Sequence, residues 1–166
     1  MPRRRALVPR QVVPRDNRNL LCAYLRFEKA LESNRGCFLM PAHTESICIV
    51  DDDTSMRRSI QQLLDSDGLM ALSFEKADDF LAHACSYPVS LAVLDVWMPE
   101  TNGLEVQARL NEVSPDTKVI VMTARETPAI RTAALEAGAF AFLLKPFDDE
   151  AFLSLVHQAL GGVTAT

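Results

Sequence analysis

The stretch "LAVLDVWMPETNG", Leu91 to Gly103, decides the fold. Four of its first five residues are aliphatic or small and apolar, the pattern of a strand buried on both faces. Asp95 ends the run, and Met98-Pro99 stops the segment. A carboxylate at the end of a buried strand is costly unless something holds it there.

Outward from this strand the chain alternates regularly. "SICIV" is a buried strand, followed by "TSMRRSIQQLLDSDG", a helix with Met56, Ile60, Leu63 and Leu64 on one face and Gly68 past its end. "LMALSF" reads as a second strand and "KADDFLAHA" as a helix with Phe80 and Leu81 inward. After the third strand, "SLAVLD", come the helix "GLEVQARLNEV", the strand "KVIVMTA" and the helix "PAIRTAALEAG". Pro128 suits the first turn of that helix and Gly138 its end. "AFAFLL" is a fifth strand. The last helix, "DEAFLSLVHQAL", has Phe152, Leu155, Val156 and Ala159 on one face. Five strands alternating with five helices predict an α/β fold with a parallel sheet covered on both sides.

In such sheets ligands bind at the carboxyl ends of the strands. Strand one ends in Asp51-Asp52-Asp53, strand three in Asp95, strand four in Thr123 and strand five in Lys145, followed by Pro146. Several carboxylates, a hydroxyl and an ammonium therefore meet at one edge. Crowded carboxylates repel unless a cation intervenes. Oxygen ligands that leave room for water and a phosphate oxygen suit Mg²⁺. Metal and ammonium together would neutralise an incoming phosphoryl group, and an Asp can attack it to give an aspartyl-phosphate. Asp95 is the expected nucleophile.

The remaining composition sets limits. Of 166 residues, 48% are apolar, enough for a core, but no run approaches the roughly 18 apolar residues of a membrane helix. No secretory signal pattern is visible. Cys22, Cys37, Cys48 and Cys85 form no CxxC pair and read as reduced thiols, with Cys48 in the core. His43, His83 and His157 are scattered and read as ordinary surface or partly buried histidines. Charge is uneven: residues 1–44 hold nine basic residues against three acidic ones, a net +6, while residues 45–166 carry a net −11. Residues 1–17, with three prolines and five arginines, read as disordered. An amphipathic helix is expected over 19–35, with Asn19 at its start and Gly36 past its end. The extension reads as an arm for acidic partners, as a helix docking on the domain or on another copy, or as a segment without native role. Met40 opens "MPAHTESICIV", which makes a start of its own.

The pieces "IVDDD" (49–53), "LAVLDVWMP" (91–99) with "NG" (102–103), "VIVMTA" (119–124) and "AFLLKPF" (141–147) resemble the receiver domain of bacterial two-component response regulators. The stretches "DDDTSMRRSIQQLL", "DDFL" and "VIVMTAR" resemble receivers of the nitrogen-fixation regulator type, usually joined to a LuxR-like DNA-binding domain. The resemblance implies a CheY-like, flavodoxin-like doubly wound (βα)5 domain over 45–162, strand order 2-1-3-4-5, with a tail at 163–166. It implies that Asp95 accepts a phosphoryl group from a histidine kinase or phosphotransfer protein. Asp51, Asp52, Asp95 and the backbone carbonyl of Trp97 would hold Mg²⁺, with Asp53 outside the metal shell. Thr123 and Lys145 would contact the phosphate, the Lys145-Pro146 bond would be cis, and Thr123 with Phe142 would form the switch. Phe142 also reads as core. Trp97 and Arg125 are variable neighbours able to tune the lifetime of the acyl phosphate. A bacterial cytoplasmic, single-domain switch is expected, rather than a truncated receiver of a LuxR-type transcription regulator. It would act on a downstream protein target, with a homodimer among its candidate assemblies and no specific DNA or membrane binding.

Two rival classes exist. "ICIVDDDT" also fits the first motif of haloacid-dehalogenase-like phosphohydrolases, with Asp51 as nucleophile and Asp53 as acid. That reading leaves Asp95 without a role. A flavodoxin-like electron carrier would need a Ser/Thr/Gly phosphate loop where this chain has three aspartates.

Overall fold

The structure is a computed structural model, and it describes residues 46–161. The extension expected over 1–44, its helix over 19–35 and the tail at 163–166 lie outside the described residues. The elements in chain order are β1 (Ile47–Val50), α1 (Thr54–Ser66), β2 (Ala71–Phe74), α2 (Ala77–Ser86), β3 (Leu91–Asp95), α3 (Gly103–Val113), β4 (Lys118–Thr123), α4 (Pro128–Glu136), β5 (Ala141–Leu144) and α5 (Asp149–Ala159). All strand pairs are parallel, in the order β2-β1-β3-β4-β5. This is the expected doubly wound order.

Alternation along the strands divides the core between the two faces of the sheet. Cys48, Val50, Leu94 and Val121 meet Phe80 of α2, Val106 and Leu110 of α3, and Ala134 of α4. Ile47, Ile49, Val93, Ile120 and Met122 meet Ile60 and Leu64 of α1 and Phe152 and Val156 of α5. The inner strands β1 and β3 are buried throughout, and β4 is buried except at Lys118. The edge strands β2 and β5 are only partly covered, and both are shorter than their apolar runs. Met70, read into the second strand, lies outside it and is 79% exposed.

Four of the five helices start where a side chain satisfies their first N–H groups; α2, preceded by Lys76, has no such cap. Asp53 accepts from Ser55 N and Met56 N, Asn102 from Leu104 N, Thr127 from Ile130 N and Asp148 from Ala151 N. Gly68 and Gly138 follow α1 and α4 at φ 77° and 87°, a region in which side chains are strained.

Cys48 is a buried free thiol, and burial pushes its pKa up to about 11, so it is a packing residue. Cys85 is buried on α2, and Cys22 and Cys37 lie outside the described residues. His83 stacks on Tyr87 at 4.8 Å and lies 5.3 Å from Phe74. His157 pairs with Asp67 at 2.5 Å, joining α5 to the end of α1.

The β3–α3 loop folds back on the strand it leaves. Trp97 bridges to Asn102, and Gly103 N donates to Val96 O at 2.9 Å. A Cβ on Gly103 would overlap the backbone oxygen of Asp95 and sit 2.9 Å from its carbonyl carbon. Backbone on both sides leaves no flexible group to yield. Gly103→Ala is therefore expected to destabilise the domain by about 1–3 kcal/mol, seen as a lower urea midpoint with an unchanged m-value.

Candidate functional site

Three strands deliver one ionic cluster. Asp51 leaves β1 and is 1% exposed. Its Oδ1 accepts from Asp53 N at 2.8 Å, and its Oδ2 accepts from Lys145 Nζ at 2.6 Å. Asp95 closes β3 and is also buried; its Oδ1 accepts from the same ammonium at 2.7 Å and its Oδ2 from Trp97 N at 2.9 Å. Lys145 follows β5, where its backbone N donates to Thr123 O at 2.8 Å and the Lys145-Pro146 bond is cis. Both carboxylates are thus fully engaged by one cation and by turn N–H groups.

Thr123 ends β4 fully buried beside the cluster. Its hydroxyl donates to Arg125 O at 3.0 Å and accepts from Arg125 N at 3.2 Å, so it closes its own turn. Phe142 on β5 is partly buried against the core, and the Arg131 guanidinium of α4 lies 5.6 Å from its ring centroid. Trp97 is 52% exposed beside Asp95. Asp52 is exposed and faces a cleft shared with Glu75, Asp78, Met98 and Glu100. Asp53 spends its carboxylate on capping α1.

Burial pushes the Asp95 carboxyl above the ordinary carboxylate range; Lys145 opposes this by hydrogen bond and charge, while Asp51 adds to it. Burial would lower Lys145, but its hydrogen bonds to Asp51 and Asp95 outweigh it and hold the ammonium above its usual value. The ammonium is secure, and the Asp95 carboxylate is the less favoured partner.

Do these residues fit a metal? Among the described residues no three acidic, histidine or cysteine side chains are grouped as a ready metal centre, because Asp52 stands apart from the buried pair. The chemistry of the donors nonetheless fits a hard divalent cation. Asp51 and Asp95 already converge on a positive charge, and Asp52 is the adjoining residue at the open side.

Two groups were not singled out in the sequence. Arg57 donates through Nη1 to Asp51 O at 2.7 Å and through Nη2 to Thr54 Oγ1 at 3.0 Å. Gly103 lets the β3–α3 loop close over Asp95. Arg57 and Arg58 are adjacent in sequence, and only the helix register tells them apart. The cue for Gly103 was present, since a glycine directly after a capping Asn102 marks close backbone approach.

The family model for the response regulator receiver domain matches residues 47–157. The chain belongs to the response regulator receiver family. The transcriptional regulatory protein FixJ of Azorhizobium caulinodans is 36% identical over 122 residues, covering 74% of this chain and 56% of FixJ. A solved receiver protein of Burkholderia phymatum is 39% identical, with a TM-score of 0.65, covering 74% of this chain and 99% of that one. The BeF3-activated DrrB receiver domain of Thermotoga maritima is 29% identical, with a TM-score of 0.65, covering 70% and 97%. This chain spans about a quarter to about half the length of the curated relatives it matches.

The receiver identity sets aside the phosphohydrolase reading. Its supposed nucleophile, Asp51, is enclosed by Lys145 and the turn, and its supposed acid, Asp53, caps a helix. No enzyme family is indicated. Among the described residues no helix is long and apolar enough to cross a membrane.

The raised Asp95 gives a sign-definite pH effect. Its favourable contribution is complete below the ordinary carboxylate pKa and is lost as pH rises through the raised value. At neutral pH without metal, the ionised carboxylate therefore costs stability. Asp95→Asn is expected to raise the urea midpoint at pH 7–8, with the gain vanishing below about pH 4. A gain that persisted unchanged at acid pH would contradict this account.

Proposed function

We propose that Asp95 is the phosphoacceptor of a two-component signalling switch. The observation that carries the reading is the Asp95–Lys145–Asp51 cluster: a buried carboxylate at a strand end, with a protonated amine 2.7 Å away. In the transfer, an Asp95 oxygen attacks the phosphorus of a kinase or phosphotransfer-protein phosphohistidine. The P–N bond breaks, its electron pair returns to the imidazole, and an acyl phosphate forms. Asp51, Asp52, Asp95 and the Trp97 carbonyl are the residues assigned to hold Mg²⁺. When bound, the ion offsets the charge of the phosphoryl oxygens. Lys145 stays protonated and supplies a second positive charge. Thr123 would exchange its bond to Arg125 O for one to a phosphoryl oxygen.

The new group adds about −1.5 to −2 charges to a site that already holds three ionised side chains. Release of the Thr123 turn frees the segment that follows β4. Phe142 then has room to turn inward, away from Arg131, and the surface of roughly residues 127–143 changes shape. That surface, including the exposed Leu135 and Phe140, is the proposed contact for a downstream protein target or a second copy of the chain. The receiver unit is assigned to 45–162, with 1–44 as a basic arm. Its only chemistry is its own phosphorylation and hydrolysis, in the bacterial cytoplasm.

Incubation with acetyl phosphate and Mg²⁺, followed by mass spectrometry, should place one phosphoryl group on Asp95. Asp95→Asn should abolish labelling, and Lys145→Met should slow it about 10²-fold. Labelling retained in Asp95→Asn would remove the assignment.

A further inference from the structure

Arg57 stands out among the cationic side chains near the site because the proposed phosphorylation chemistry does not use it. Its side chain is only 11% exposed, although it sits in the first turn and a half of α1. The guanidinium spans three segments. Nη1 holds the backbone carbonyl of Asp51 at the end of β1, Nη2 holds the Thr54 hydroxyl at the start of α1, and Nη2 lies 3.5 Å from Glu75 after β2. The acidic turn Asp51–Asp53 lies between the first two anchors. Asp52 and Glu75 line the same cleft. The backbone of this turn sets where the Asp51 and Asp52 carboxylates point; Asp53 N bonds to Asp51 Oδ1, Asp51 N to Phe74 O, and Asp53 caps α1, while the Asp51 carbonyl is held by Arg57.

We propose that Arg57 is a positioning residue for the cation site, fixing the Asp51–Asp53 turn by its fork of bonds to Asp51 O and Thr54 Oγ1. The inference rests on the assignment of Asp51 and Asp52 as cation ligands. Two physical effects of the guanidinium have opposite signs. As a fixed positive charge, it repels a divalent ion. As an anchor of the turn, it preorganises the carboxylates that bind the ion. Its charge is partly offset by Glu75, and its exposed neighbour Arg58 makes none of these contacts yet carries the same charge one residue away. Outer-shell hydrogen bonds of this kind are worth about 10- to 100-fold in metal affinity.

Trp97, the only tryptophan in the chain, reports on the site because its backbone N–H bonds to Asp95. Mg²⁺ titrations of the full chain, followed by Trp97 fluorescence and checked by calorimetry, give the dissociation constants. Arg57→Met should weaken Mg²⁺ binding by about tenfold. Arg57→Lys, which keeps one donor arm, should fall between Arg57→Met and the wild type. Arg58→Met, which removes the same charge without the fork, should stay within twofold of the wild type. Urea unfolding of each variant confirms that a folded protein is titrated, and Arg57→Lys keeps the test valid if Arg57→Met does not fold. Unchanged or tighter binding by the folded Arg57 variants overturns the positioning role alone, as does equal weakening in Arg58→Met. No Mg²⁺ response from the wild type would overturn this role together with the assigned cation site.

Discussion

One ammonium group makes the carboxyl edge of this sheet stable as folded. Two aspartates, from the first and third strands, would repel across a low-dielectric gap. Lys145 bridges them at 2.6 and 2.7 Å and is kept protonated by both. Remove the cation and the edge holds two buried like charges. Keep it, and the edge holds a buried anion poised beside a cation, which is how phosphoryl-transfer sites are furnished. Under the proposed phosphoacceptor role, the need for stability and the need for reactivity fall on the same three side chains.

The turns around this cluster hold it in place. Asp51 and Asp95 each accept a backbone N–H two residues ahead, so each carboxylate is oriented by its own loop. Gly103 permits the second loop to close against the strand, and Arg57 braces the first. Thr123 is bound to its own turn rather than to the cluster. Of Asp51, Asp95, Lys145 and Thr123, it is thus the one whose bonds can be exchanged without uncovering a charge.

Much of this was legible in the residues themselves. Hydrophobic runs of four to six residues separated by helical periodicity gave all five strands and five helices, because inner strands buried on both faces have little freedom of composition. The strand-end rule placed Asp51, Asp95, Thr123 and Lys145 at one edge. The edge strands were overread: Leu69 and Met70 look apolar enough for β2, yet a strand with a neighbour on one side only is covered less and ends sooner. Arg57 escaped notice because two consecutive arginines differ only in which side of the helix they occupy. Asp52 stands exposed at the cleft beside the buried Asp51, since neighbouring residues leaving a strand point to opposite sides.

The Lys145–Asp51 bond joins residues 94 apart, and Lys145–Asp95 joins residues 50 apart. Loops of that span close late, after the intervening elements have packed. A nascent chain still on the ribosome, with β5 inside the exit tunnel, lacks the ammonium altogether. The two buried aspartates therefore gain their shared counter-charge only once the last strand has been made.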